Sequence, residues 1–202
     1  MGFWLVDWAI INAAFLPAEP ASCQAARGAC WSFVIAKHSQ ILFGIYPPEE
    51  RWRPALVCLL LIGLLIYSVR PASWRPRLLG FWVAAIVAVF LLMLGGVPGL
   101  ALVPTALWGG LPITLILTVV AIGAAFPLAI LLALARRSKL PVVSALSVLF
   151  IETTRALPLL SILFIASIML PLLLPEALLP DKFFRALLAL LLFAAAYMAE
   201  VI

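Results

Sequence analysis

Leu111–Ala135 is a run of twenty-five residues without a single charge. A helix needs roughly 20 apolar residues to cross the hydrocarbon core of a bilayer, so this run is long enough to span one. Pro127 falls in its middle, where a missing N–H predicts a kink that membrane helices tolerate. Composition extends the argument to the whole chain. Hydrophobic residues make up 67% and charged residues 10% of its 202 residues, and mean hydropathy is +1.26. Ordinary globular domains are about 45–50% apolar and about 25% charged. One core cannot bury the excess, so apolar surface faces lipid. This excludes a soluble enzyme, a nucleic-acid binder and a disordered tail. The net charge of +5 suits a polyanion partner, but in a membrane chain basic residues more often fix orientation.

Further spans are expected over Pro54–Val69, Leu78–Leu94, Ala156–Pro175 and Phe183–Ala199, the last with Arg185 near its start. The breakers Gly95-Gly96-Val97-Pro98-Gly99 and Pro104 end one helix near Leu94 and leave a hydrophobic loop up to Gly110. Residues 2–16 read as the tail of a helix whose beginning is absent, or as an interfacial segment. They do not read as a secretory signal, because no basic stretch leads them and Asp7 interrupts the apolar run. The apolar runs are continuous and do not alternate, which excludes an outer-membrane barrel. Helices remain, because lipid demands that backbone groups bond within their own segment. The expected fold is all-α, a polytopic transmembrane helix bundle. It divides into residues 1–53 (a partial first helix and an outer segment), 54–110 (two accessory spans and an outer loop) and 111–202 (three spans and an interfacial stretch over 141–154).

Short basic loops set the direction. Arg70, Arg75 and Arg77 lie between the first two full spans, and Arg136, Arg137, Lys139 and Arg155 follow the third. Two helices separate these groups, so loops 70–77 and 136–155 both fall on the cytoplasmic side. Loop 95–110, which is uncharged, and loop 176–182, with Glu176, Asp181 and Lys182, then face outward. Segment 1–53 is also outside, where Arg27, Lys37, Arg51 and Arg53 nearly balance Asp7, Glu19, Glu49 and Glu50. Trp52, Trp74, Trp82 and Trp108 sit near span ends, as interfacial aromatic belts do.

Few polar residues are left to carry chemistry. No phosphate-binding loop, H-E-x-x-H pair or G-x-S-x-G elbow occurs. Gly95-x-x-x-Gly99 has helix-dimer spacing, but Pro98 inside it favours a turn. His38 is the sole histidine, so neither a metal site nor a cofactor is expected. Cys23 and Cys30 share the outer segment, where a small disulfide-closed loop and two unpaired residues are equally open readings. Cys58 lies inside a span and reads as packing. Pro141–Thr154 is half-apolar and follows a basic turn, so it can lie along the inner membrane surface. Glu152 and Arg155 are three apart and share a helix face, where they can pair. Pro158 fits the first turn of a new helix. An ordinary cytoplasmic turn with a surface ion pair explains the same spacing. Glu200 follows the small-residue run Ala194-Ala195-Ala196, which lets helices approach closely. It is either an interfacial acid or, inside a bundle, a functional candidate. Thr114, Thr118 and Ser161 are expected to bond back to their own helices.

Four segments in order carry a resemblance: Gly110-Leu111-Pro112-Ile113-Thr114-Leu115, Leu132-Ala133-Leu134-Ala135-Arg136-Arg137-Ser138, Glu152-Thr153-Thr154-Arg155-Ala156-Leu157-Pro158-Leu159 and Ala196-Tyr197-Met198-Ala199-Glu200. Together they resemble the membrane permease subunit of polar amino-acid ABC importers, a type I permease fold. Tyr46-Pro47-Pro48-Glu49-Glu50-Arg51-Trp52-Arg53-Pro54 resembles the general L-amino-acid subgroup, which carries extra helices before the core. The family usually has Gly where this chain has Ala156. Its members continue past Tyr-x-x-Glu into a cytoplasmic loop with an E-A-A…G signature and two more helices, so the chain is expected to be a fragment of a permease or a truncated gene product, incomplete at both ends.

The resemblance implies alternating access in the bacterial inner membrane. The implied partners are a second, homologous permease subunit, two cytoplasmic ATPase subunits and a periplasmic amino-acid-binding protein, with no nucleic acid. Glu152, Arg155, Pro158 and Glu200 would stand at the cytoplasmic gate, tying the interfacial stretch to the bundle. A secondary transporter would instead show inverted repeats and midplane charges. An intramembrane enzyme would show reactive groups converging at one depth. Neither pattern is present, while a structural membrane subunit without transport stays open.

Overall fold

The computed structural model describes residues 2–14, 27–175 and 178–202. Glu19, Cys23 and Glu176 lie outside the described residues. A short helix α1, Gly2–Val6, continues into one wider turn over Asp7–Ile11. Then come α2 (Trp31–Phe43), α3 (Trp52–Val69), α4 (Pro76–Leu94), α5 (Gly110–Arg136), α6 (Pro141–Ala156), α7 (Leu159–Leu173) and α8 (Lys182–Val201). Among the described residues the only β contact is one bridge between Ala14 and Cys30. Helices α3, α4, α5 and α8 are each long and apolar enough to cross a membrane, and α6 with α7 form a pair bent by 102°.

The bundle alternates in direction, and side-chain contacts fix which ends meet. At one end, Arg53 at the start of α3 reaches the α4–α5 loop, its Nη1 donating to the Ala101 carbonyl at 2.7 Å. Gly110, opening α5, lies against Leu42 of α2, and Thr105 donates to Asp181 at the head of α8. At the other end, Arg136 closing α5 meets Glu200 closing α8. The end of α3 and the start of α4 therefore share that second end, together with Arg70, Arg75 and Arg77. Both basic groups stand on one side and the uncharged 95–110 loop on the other.

Two packed regions hold the bundle. Near the neutral end, Tyr46, Val57, Leu61, Val89, Met93, Val103, Trp108, Ile116 and Phe183 form one buried cluster. Trp108 is only 5% exposed and packs edge-on against Phe183 at 5.2 Å, so it is interior rather than part of an interfacial belt. Trp74, 75% exposed, keeps the belt position. Along the middle, Ala121, Ala125 and Ala129 of α5 form a buried small-residue stripe at i, i+4, i+8, and Ala189, Ala195, Ala196 and Ala199 of α8 are buried as well. Small side chains let two backbones approach closely in lipid, and α5 with α8 is the most extensive helix pair. Its far end closes on Ala129, Ile151 and Ala199.

Two elements depart from the expectation. The segment expected to lie outside, residues 1–53, contains α2, whose 13 residues are too few to span a bilayer. Arg51 ties it to α3 by donating from Nη1 to Ser39 Oγ at 2.6 Å. The helix expected over Ala156–Pro175 begins only at Leu159, because Ala156 still belongs to α6. At about 22 Å, α7 is shorter than the other spans, and it carries a wide turn over Ile165–Met169. Helix α5 runs unbroken through Pro127.

Candidate functional site at the basic end of the bundle

Three helices bring ionic side chains together where α5, α6 and α8 finish. Arg136 is the last residue of α5, Glu152 and Arg155 occupy the last turns of α6, and Glu200 lies in the last turn of α8. Arg155 Nη1 is 3.4 Å from Glu200 Oε2 and 3.8 Å from Glu152 Oε1. Arg136 Nη1 donates to the same Glu200 oxygen. One carboxylate thus bridges two guanidinium groups on different helices, and a second carboxylate balances the charge.

Aromatic packing steadies Arg155. Its guanidinium carbon lies 5.8 Å from the centre of the Tyr197 ring, a cation–π distance, and Tyr197 packs against Phe193 in a tilted arrangement, ring centres 4.6 Å apart. Beneath the cluster Ala129 and Ile151 are fully buried, so the ionic layer sits on a tight apolar floor. The ionic side chains themselves are between one-third and a little over one-half exposed. Ion pairs this wet are individually weak, about 0–1 kcal/mol each, and can open and re-form. Ser144 adds a neutral link from α6, its hydroxyl donating to the Arg136 carbonyl at 2.8 Å.

Pro158 stands just past the cluster, at the 102° bend between α6 and α7. Its carbonyl accepts from Ser161 N–H at 2.9 Å, starting the first turn of α7. Of the four residues singled out from the sequence, Glu152, Arg155 and Glu200 meet directly and Pro158 marks the adjoining turn. Sequence reasoning missed Arg136 as Glu200's partner. The available signal was the paired small-residue stripes, which bring the ends of α5 and α8 together.

The remaining candidates carry less. Thr114 and Thr118 donate to Leu111 and Thr114 carbonyls at 2.7 Å each, bonding back to their own helix. Cys30 Sγ lies 3.1 Å from Ser32 Oγ; Cys23 lies outside the described residues, and Cys58 is a buried free thiol. His38 Nδ1 is 2.7 Å from the Ile35 carbonyl of its own helix. Among the described residues no three His, Cys, Asp or Glu side chains gather to hold a metal ion.

The inner membrane amino-acid ABC transporter permease protein YhdY of Escherichia coli is 44% identical over 204 residues, covering 98% of this chain and 54% of that protein. The chain is a homologue of the amino-acid ABC transporter permeases. The glutamate/glutamine/aspartate/asparagine transport system permease protein BztC of Rhodobacter capsulatus is 32% identical over 234 residues, covering 88% of the chain and 54% of that protein. The chain spans about half the length of these curated relatives. No family profile and no solved structure matches it. The four membrane-length helices of this permease homologue fit the inner-membrane location in the first relative's name.

Proposed function

We propose that this chain forms part of the permease subunit of an ATP-driven amino-acid importer and contributes to its translocation pathway by alternating access. The observation that carries the reading is the 44% identity to an amino-acid ABC transporter permease across 98% of the chain. Partners follow from that assignment. A second permease subunit completes the path, two ATPase subunits hydrolyse ATP on the cytoplasmic side, and a periplasmic binding protein delivers the amino acid. The polar amino acids in the name of the second relative set the substrate class to try first.

Within this assembly the Arg136–Glu200–Arg155–Glu152 cluster acts as an inner-side latch. It ties the end of the long central helix α5, the last turn of α8 and the lateral helix α6 through partly hydrated charges. Partner exchange between Arg136 and Arg155 around one carboxylate costs little, because each pair is weak. Residues Leu157 and Pro158 then provide the joint about which α6 and α7 re-orient. Helix α6 and its flanking turns lie along the cytoplasmic membrane surface.

The test is reconstitution of the full-length permease with its ATPase and binding protein in proteoliposomes. Amino-acid uptake should require ATP and the binding protein together. Uptake that persists without either one contradicts the importer reading.

A further inference from the structure

Helices α3, α4 and α5 leave between them an apolar groove of about 620 Å³, lined by Leu65 of α3, Leu79, Trp82, Val83 and Ile86 of α4, and Gly123 among others of α5. Leu79, Trp82, Val83 and Ile86 follow i, i+3, i+4, i+7 spacing, so one face of α4 forms a wall. The groove's two hydroxyls, on Thr114 and Thr118, are both satisfied by carbonyls of α5. Nothing inside it offers a free polar partner, so a polar amino acid has no recognition there.

The groove's wall leads to positive charge. Arg75 caps the start of α4, four residues before Leu79, at the basic end of the bundle. Arg77 follows on the first turn of α4, and Arg70 closes α3 across the turn. All three are exposed, the 70–77 stretch holds no acid, and none of the three joins an ion pair among the described residues. An apolar groove of membrane depth beside a cluster of uncompensated arginines matches a molecule with an acyl chain and an anionic head. We propose that this groove binds an anionic phospholipid, with one acyl chain between α3, α4 and α5 and its phosphate held by Arg75 and Arg77, assisted by Arg70. The proposal does not depend on which solute the permease carries.

Gly123 supplies the decisive variant. A Cβ built there meets nothing within 4 Å and Gly123 lines the groove, so Gly123→Leu puts its side chain into the groove and leaves every arginine in place. The full-length transporter complex is purified from nanodiscs containing phosphatidylglycerol and phosphatidylcholine, and retained lipid is counted by native mass spectrometry. In parallel, phosphatidylglycerol bearing a photoreactive acyl chain is cross-linked and the adducts are mapped. We expect selective retention of phosphatidylglycerol, adducts on α3, α4 and α5 groove residues, and a loss of about tenfold or more in R70Q/R75Q/R77Q. Gly123→Leu should lose the same adducts while the complex stays assembled. Equal retention of both lipids, adducts elsewhere, or groove residues cross-linking to protein instead of lipid would overturn the assignment.

Discussion

Arg53 donates from Nη1 to the carbonyl of Ala101 at 2.7 Å, joining the start of α3 to the middle of the α4–α5 loop. The Arg53 side chain is 0% exposed, while Glu50, whose Oε2 is 2.8 Å from Arg53 Nε, is 24% exposed. This unequal burial gives an ordered prediction. Glu50→Ala strands a buried cation, for which breaking such a pair costs about 3–5 kcal/mol. Arg53→Met keeps the packing volume and frees a carboxylate that can reach water, so it costs less, about 1–2 kcal/mol from the lost bonds. Thermal unfolding of the two variants in detergent should therefore show the larger drop for Glu50→Ala, and the reverse order would show that Arg53 is not acting as a buried charge.

At the basic end the expected signature is functional more than thermodynamic. Glu200→Gln removes the charge shared by Arg136 and Arg155 but nearly keeps the shape. Because these side chains are about one-third exposed, the stability change should stay within about 1 kcal/mol. ATP-dependent uptake by the full-length transporter should nevertheless fall several-fold. Arg155→Ala should do the same, and the double variant should be less impaired than the two losses combined, since both remove one interaction. Additive losses, or unchanged uptake with normal assembly, would take the cluster out of the gate.

The sequence made the membrane helices legible because uncharged length alone demands them, as for Leu111–Ala135. It also made the gathering of Arg70, Arg75, Arg77, Arg136 and Arg155 at one end of the bundle legible, since charge pattern is a one-dimensional property. Glu152 and Arg155 were readable as a local i, i+3 pair. The contact of Arg136 with Glu200 was not, because it depends on two alanine stripes meeting in register. Arg53 read as a charge flanking a span; only the folded α4–α5 loop buries it. Helix α2 was hidden for a similar reason. Its Lys37, His38, Ser39 and Gln40 look like loop composition, and its order depends on packing against α5.

Gly110 sits where backbone conformation and a close neighbour both demand glycine. Its φ is +66°, and a Cβ there would fall 2.2 Å from the Leu42 carbonyl oxygen. A non-glycine residue in this region costs about 1–3 kcal/mol before any clash is counted. Gly110→Ala should thus lower thermal stability markedly and loosen α2 from α5. Gly63→Ala and Gly80→Ala, in mid-helix positions with open space around the added methyl, should be neutral or stabilising by about 0.5–1 kcal/mol. Equal behaviour of the three variants would refute the close approach of α2 to the head of α5.

Tyr46 gives the bundle an alkaline dependence. Its hydroxyl is buried and donates to the Met93 carbonyl at 3.0 Å, linking the segment before α3 to the end of α4. Burial pushes its pKa up, outweighing the opposing pull of the nearby Arg53 guanidinium. The neutral phenol is therefore favoured more in the folded chain than in the unfolded one. Its stabilisation is intact below the ordinary tyrosine value of about 10 and is lost as pH rises through the elevated native value. Tyr46→Phe removes one hydrogen bond, worth about 0.5–1.5 kcal/mol, and leaves nothing to titrate at this position. Unfolding temperatures measured from pH 8 to about pH 11 should fall more steeply for the wild type than for Tyr46→Phe, so the two curves converge at the alkaline end. Parallel curves across that range would mean that the Tyr46 hydroxyl is open to water and does not clasp α4.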